Sequence, residues 1–334
     1  MAVAESAIPK RRKTAGLWSD ALYRLSRNRA AVVGAVLVTL LVLSAIFASF
    51  IAPYHYAEQH RMEKLQVPEW IVALFPTMRE YVQISDRYIL GADDLGRDLL
   101  SRLIYGAQIS LSVAFVGPLI ALLVGTTYGL ISGFFGKWVD NIMMRFVDLM
   151  YAIPTMLLII LMMAFFRSTF AGTERMSAFA KSLSDLDRYF GGMLFIFIGI
   201  GLTAWMGTAR LARGQVLSVR EQEFVLAARA VGASNWRIVF RHILPNILGP
   251  LVITVTLAIP GYIATEAFLS FIGLGVNAPT PSWGLMISEG AQYIRTAPHQ
   301  IIFPALALSI TMFAFNFLGD GLRDALDPRL RGTR

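Results

Sequence analysis

The chain of 334 residues contains no cysteine, which removes disulfides, thiol nucleophiles and thiolate metal sites together. Charge is scarce as well: Asp, Glu, Lys and Arg make up 16% of the residues, against about 25% in ordinary soluble domains. The four histidines, His55, His60, His242 and His299, include no HExxH pair, and no GxSxG elbow is present. The residues needed for metal-assisted or serine hydrolysis are therefore not encoded at their required spacings. A phosphate-binding loop is missing too. Gly136-Lys137 is followed by Trp138 and lacks an upstream glycine at the right distance, so any ATP must be bound by another chain. No catalytic residue, metal ligand or cofactor is expected.

What is present is apolar: 56% of the residues are hydrophobic, against about 45–50% in soluble domains. A bilayer core of about 30 Å takes about 20 apolar residues at about 1.5 Å each. Six charge-free runs reach that scale, Ala30 to Ile51, Ile109 to Gly133, Leu149 to Phe166, Gly191 to Ala209, Ile247 to Thr265 and Ile301 to Gly319. An all-α membrane protein of six transmembrane helices is expected. Lys10 to Lys13 look like the head of a signal peptide, but the run after them is too long and no small-residue cleavage site follows it. It is read as an uncleaved first span.

The net charge of +8 is unevenly placed. Seven basic residues precede the first span, six lie between Arg210 and Arg241, and four follow Gly319. With the N-terminus inside, 19 of the 30 Lys and Arg fall on the cytoplasmic side, the positive-inside pattern. Orientation and contact with membrane lipid account for the basic excess, with no need for nucleic acid. The organisation expected is a cytoplasmic segment 1–29, a first span 30–52, an external segment 53–102, a five-helix core 103–320 containing a cytoplasmic loop 210–245, and a cytoplasmic tail 321–334.

Several local patterns carry further expectations. Leu95, Leu99, Leu100 and Leu103 share a helical face, with Asp93 or Asp94 placed to cap a surface helix ahead of the second span. Gly125, Gly129 and Gly133 form two overlapping GxxxG steps, a face that admits a neighbouring backbone. Phe179, Leu183 and Leu186 fit one face of a short helix in the external loop between Arg167 and Arg188. Asp148 and Asp320 sit near span ends, within reach of Arg145 and Arg323. Glu266, at the external end of the fifth span, is costly unless paired or wet. It either borders a translocation path or hydrogen-bonds to a neighbouring helix.

The loop of over 30 residues before the fifth span exceeds what a connection needs. Ser218 and Glu221 form a capping-box pattern, so a helix is expected from there, with Phe224, Ala227, Ala228 and Val231 along one face and Gly232 as its left-handed stop. Ser234 opens a second helix running through Trp236, Phe240 and Ile243 toward Pro245. Helix, glycine break, helix and membrane follow in order. The small face at Ala227 and Ala228 suits close approach by a partner, or packing on the chain's own bundle.

Ala227-Ala228, then Gly232, then Leu244-Pro245 resembles the EAA loop of permease subunits in binding-protein-dependent ABC importers. The acidic position before the alanines is here Leu226, and His242 stands where the family's isoleucine is usual. Leu90 to Asp98, Ala267 to Gly275, Ser282-Trp283-Gly284 and Gly319 to Pro328 are similar to the C-type permeases of oligopeptide and dipeptide transporters. The resemblance implies a type I ABC importer permease fold in the inner membrane, with a cytoplasmic coupling helix. It implies that Glu223, Ala227, Ala228, Arg229, Gly232 and Ala233, with Leu244 and Pro245, form the ATPase-coupling set. Implied partners are a homologous B-type permease, two ATP-binding subunits and an extracytoplasmic peptide-binding protein, with peptide as substrate. The same architecture with nickel, heme or a sugar-linked cargo stays open, whereas an ion-driven secondary transporter would require ionisable groups at mid-membrane.

Overall fold

The computed structural model describes residues 17–170 and 178–326. An N-terminal helix α1 (Leu17–Leu25) leads into α2 (Arg29–Ile46), whose first turn is capped by Asn28 accepting from the Ala31 N–H at 3.2 Å. A short α3 (Ala48–Ile51) ends the first span. The segment between the first and second spans holds α4 (Glu69–Leu74) and two parallel two-residue strands, β1 (Gln66–Val67) and β2 (Gln83–Ile84). Val67, Ile71, Val72 and Met78 form its small core together with Ala297, so this segment is seated on the turn before the last helix.

The second span is one stack of 37 residues, α5 (Leu99–Ile120), a π-turn over Ala121–Gly125, and α6 (Thr126–Phe135). Pro118 cannot donate to the ladder, and the π-turn just after it absorbs the misfit without ending the helix. The expected surface helix from Asp94 is not formed. Asp98 caps α5 by accepting from Ser101 N–H at 2.8 Å, while Asp93 is taken up by the N–H groups of Leu95 and Arg97, each at 2.9 Å. Leu95 therefore lies in a turn, before the helix begins.

The third span departs from a straight run starting at Leu149. α7 (Lys137–Ala152) and α8 (Thr155–Phe170) meet at an angle of 76° across Ile153 and Pro154. After α9 (Ala178–Tyr189), which supplies the short helix expected in the external loop, α10 (Leu194–Val219) crosses again. Then come α11 (Glu223–Ala230), α12 (Asn235–Arg237), a π-turn over Ile238–Ile243, α13 (Leu244–Leu257) and α14 (Ile259–Phe271). α15 (Trp283–Ala291) precedes α16 (His299–Leu326). Among the described residues five helices or helix stacks can each cross a membrane, and the bent α7–α8 pair makes six.

The glycine ridge does what its spacing suggests. A Cβ on Gly125, Gly129 or Gly133 would lie 2.6 Å from Trp205 O, 2.5 Å from Ala209 O or 2.8 Å from Val216 Cβ. These glycines let α6 and α10 cross backbone to backbone.

Candidate functional site

The segment between the fourth and fifth spans is built from three local decisions. First, α10 continues through Val219, because Ala212 and Val216 are still fully buried at its last turns. Ser218 is thus inside a helix and caps nothing, and α11 starts at Glu223 after an extended Gln222. Second, α11 ends at a Gly232 with φ of +79°, and Ala233 N–H reaches Ala228 O at 3.0 Å, the six-to-one bond of a Schellman ending. Third, Ser234 caps the next helix by accepting from Arg237 N–H at 3.4 Å.

These turns set the faces of α11. Val225 and Ala228 are buried, in one core with Leu130, Phe134, Val216, Ile238 and Ile243. Phe224, Leu226, Ala227 and Val231 point away from it, Val231 being 85% exposed. Trp236 and Phe240 extend this apolar surface, their rings stacked at 5.6 Å. Ala228 is therefore not on the face shared by Phe224, Ala227 and Val231; it belongs to the inner side with Val225. Glu223, Arg229, Gly232 and Pro245 are exposed, and Ala233 and Leu244 are half-buried. The Arg229 guanidinium lies 5.7 Å from the Phe134 ring centre.

The base of α10 is fastened by three arginines that sequence spacing did not pair. Arg213 grips Asp140 with two bonds of 2.5 and 2.6 Å, and Ser132 donates to the same carboxylate. Arg220 donates to Gly133 O at 2.8 Å. Asp148 pairs with Arg210 at 2.5 Å rather than with Arg145, and the Arg210 guanidinium lies 4.1 Å from the Tyr151 ring centre.

Glu266 makes none of its contacts with this segment. It is fully buried, and its carboxylate accepts from Ser270 at 2.7 Å and from Ser110 on α5 at 3.1 Å. Of the two readings of Glu266, the inter-helix hydrogen bond is the one its atoms make. A second buried charge cluster went unread in the sequence. Arg97 Nε meets Asp93 at 2.6 Å, and Arg102 bonds both Asp93 and Glu289, the latter at 2.7 Å. Three of the four side chains are almost wholly enclosed, so this cluster pins the segment between the first two spans to α5 and α15. Its signal was the run of charges Asp93, Arg97 and Arg102, indistinguishable in sequence from surface charges. No cluster of metal-ligating side chains occurs among the described residues.

Residues 125–332 match the family of binding-protein-dependent transport system inner membrane components, and residues 16–68 match the N-terminal transmembrane domain of oligopeptide transport permease C. The chain belongs to this permease family. It is 39% identical over 320 residues to the oligopeptide transport system permease protein OppC of Bacillus subtilis, covering 96% of this chain and 92% of that one. A dipeptide transport system permease protein, DppC of Alkalihalophilus pseudofirmus, is 37% identical, with 94% and 90% covered. The glutathione transport system permease protein GsiD of Pectobacterium atrosepticum is 34% identical, with 94% and 92% covered. An inward-facing structure of the MetNI methionine ABC transporter superposes with a TM-score of 0.51 at 20% identity, covering 69% of this chain and 98% of that chain. The fold is thus that of an ABC importer permease, a multi-pass and non-catalytic membrane subunit. Membership implies ATPase and binding-protein partners in general.

Proposed function

We propose that the chain is one permease subunit of an ATP-driven importer of short peptides, and that α11 is the element through which the ATPase acts on it. The cargo rests on similarity to oligopeptide and dipeptide permeases along nearly the whole chain; the glutathione relative also takes a tripeptide. The observation that carries the coupling role is the orientation of α11. Val225 and Ala228 are committed to the chain's own core, while Phe224, Leu226, Ala227 and Val231 are left uncovered outside it. An apolar surface beside Trp236 and Phe240, on a loop too polar at its ends to lie in lipid, suits a protein groove.

In this reading Glu223, Ala227, Arg229 and Gly232 face the ATPase, whereas Ala228, Ala233 and Leu244 hold the helix at its angle. Pro245 stands just after the π-turn over Ile238–Ile243, which accommodates its missing N–H within the continuous stack. The loop and both termini are cytoplasmic, and Glu266 stabilises the bundle beside the path. A homologous B-type permease completes the translocation path, two ATP-binding subunits supply the energy, and an extracytoplasmic binding protein delivers peptide. Closure of the ATPases displaces α11 and alternates access.

The test is reconstitution. The purified chain alone is expected to hydrolyse no ATP, and the full assembly in vesicles to accumulate labelled tripeptide only with ATP and binding protein present. ATP hydrolysis by the isolated chain, or an assembly that carries no peptide, overturns the reading.

A further inference from the structure

Two irregularities of helix lie beside one cavity that opens onto the subunit's surface. One is the bend at Ile153 and Pro154 between α7 and α8; the other is a one-residue irregularity at Ala258, just ahead of Pro260, within the continuous stack of α13 and α14. Backbone broken at membrane depth is tolerated only where it is buried in protein or lines a wet cavity. Here it lines a cavity of about 440 Å³ between α7, α8, α10, α13 and α14.

The cavity is lined in part by hydroxyl groups, from Tyr151, Thr155, Thr203, Tyr262 and Thr265. No charged side chain borders it. The nearest ionic neighbours known from contact, Arg210 against Tyr151 and Asp148 against Arg210, are bonded to each other. Thr203 and Thr265 donate to carbonyls of their own helices, at 3.1 and 2.8 Å, which leaves their oxygens able to accept. Tyr262 packs its ring beside Gly117 and makes no hydrogen bond to a described residue, and Thr155 makes none either. Such hydroxyls are expensive to expose to hydrocarbon and inexpensive to expose to water or an amide.

One glycine adds an independent observation. A Cβ on Gly261 would meet no atom within 4 Å, unlike the ridge glycines on α6. Gly261 is exposed at the mouth of the cavity, so a side chain placed there would extend into the opening.

We infer that this cavity is a contact site for the peptide backbone in transit, with Thr155 and Tyr262 as donors to peptide carbonyls and Thr203 and Thr265 as acceptors. The inference rests on the peptide-import reading and deepens it. A neutral lining of hydroxyls recognises what every peptide has, its amides, and is indifferent to side-chain charge. That suits passage of varied sequences, with selection made elsewhere.

The experiment uses the complete assembly in vesicles with its binding protein and labelled tri- and pentapeptides. Gly261→Leu has room to fold and fills the cavity; it is expected to lower pentapeptide import more than tripeptide import while binding-protein-stimulated ATP hydrolysis persists. Thr155→Val and Tyr262→Phe each remove one hydroxyl with little change of shape. Each is expected to lower peptide carried per ATP about three- to tenfold, the scale of one neutral hydrogen bond. Both are also expected to weaken discrimination against an N-methylated tripeptide, a readout that a purely structural defect does not change. Thr39→Val on α2, remote from the cavity, serves as the control and should match the unmodified assembly. A photoreactive side chain at position 155 should label the peptide. If all three variants import both peptides at the original ATP cost, or position 155 labels only the second permease, the site is refuted and peptide import stands. If the unmodified assembly imports no peptide, both readings fail.

Discussion

Neighbouring alanines on α11 separate the stability of the loop from its docking. Ala228 is 8% exposed and belongs to the core of Leu130, Phe134, Val216, Val225, Ile238 and Ile243, none of which carries a negative charge. Ala228→Arg therefore forces either a buried guanidinium without a partner or release of α11 from the bundle. Leaving a charge buried and uncompensated costs about 3–5 kcal/mol, roughly a hundred- to several-thousand-fold in the equilibrium between docked and released helix. Ala227 points outward, so Ala227→Arg costs nothing in the free subunit and penalises only the complex, where truncated or mismatched charges cost about 2–5 kcal/mol. Limited proteolysis of the isolated subunit should accordingly cut Ala228→Arg between Arg220 and Arg237 and spare Ala227→Arg. Co-purification of the ATPases should fail for both. Should Ala227→Arg retain full ATPase binding and full peptide uptake, the outward face of α11 is not the docking surface, and the coupling role proposed for this loop is wrong.

Gly232→Val places a β-branched residue at a φ of +79° with open space around it, so its cost is conformational, about 1–2 kcal/mol, and uptake should fall while ATPase co-purification persists. Gly129→Leu drives a side chain into Ala209 O and Ala212 Cβ, each 2.5 Å from its first atom, and should abolish assembly of the subunit, measured as loss of a monodisperse peak in detergent. A reporter fused after Arg334 should be cytoplasmic and one inserted at Ser182 external; a cytoplasmic signal at Ser182 would reverse the orientation assigned to α11.

Spans, ridge and break were legible because each depends on a local rule. Length and hydropathy suffice for a span, a four-residue glycine repeat marks a close crossing, and Gly232 is the residue that tolerates its own φ. Which alanine faces inward was not legible. Ala227 and Ala228 lie about 100° apart on a helix, and the choice between them is made by Phe134 and Leu130, some ninety residues earlier in the chain. The capping box at Ser218 failed for a similar reason: burial of Val216 against α6 keeps α10 helical past the local stop signal. Asp93 failed as a cap because Arg97 and Arg102 claim its carboxylate. The membrane cavity was invisible, since its hydroxyls come from four separate helices and none is unusual in its own window.

Three arginines of α10 make the chain mechanically continuous. Arg210 holds Asp148, Arg213 holds Asp140, and Arg220 holds Gly133 O, so α10 is tied at three heights to α7 and to the end of α6. The inner side of α11 packs, through Val225 and Ala228, into a core built by α6, α10, the π-turn over Ile238–Ile243 and α13, and α7 is joined to it through the arginines of α10. Close-packed interiors transmit displacement instead of absorbing it. A push on α11 is therefore delivered to α6, α7 and α10 together. Two of these, α7 and α10, wall the hydroxyl-lined cavity, and Tyr151 stands on α7 under the very arginine that fastens it. On the coupling reading proposed above, these salt bridges connect the surface that receives the force to the cavity that changes shape, and they sit at span ends because charges are costly deeper in the membrane.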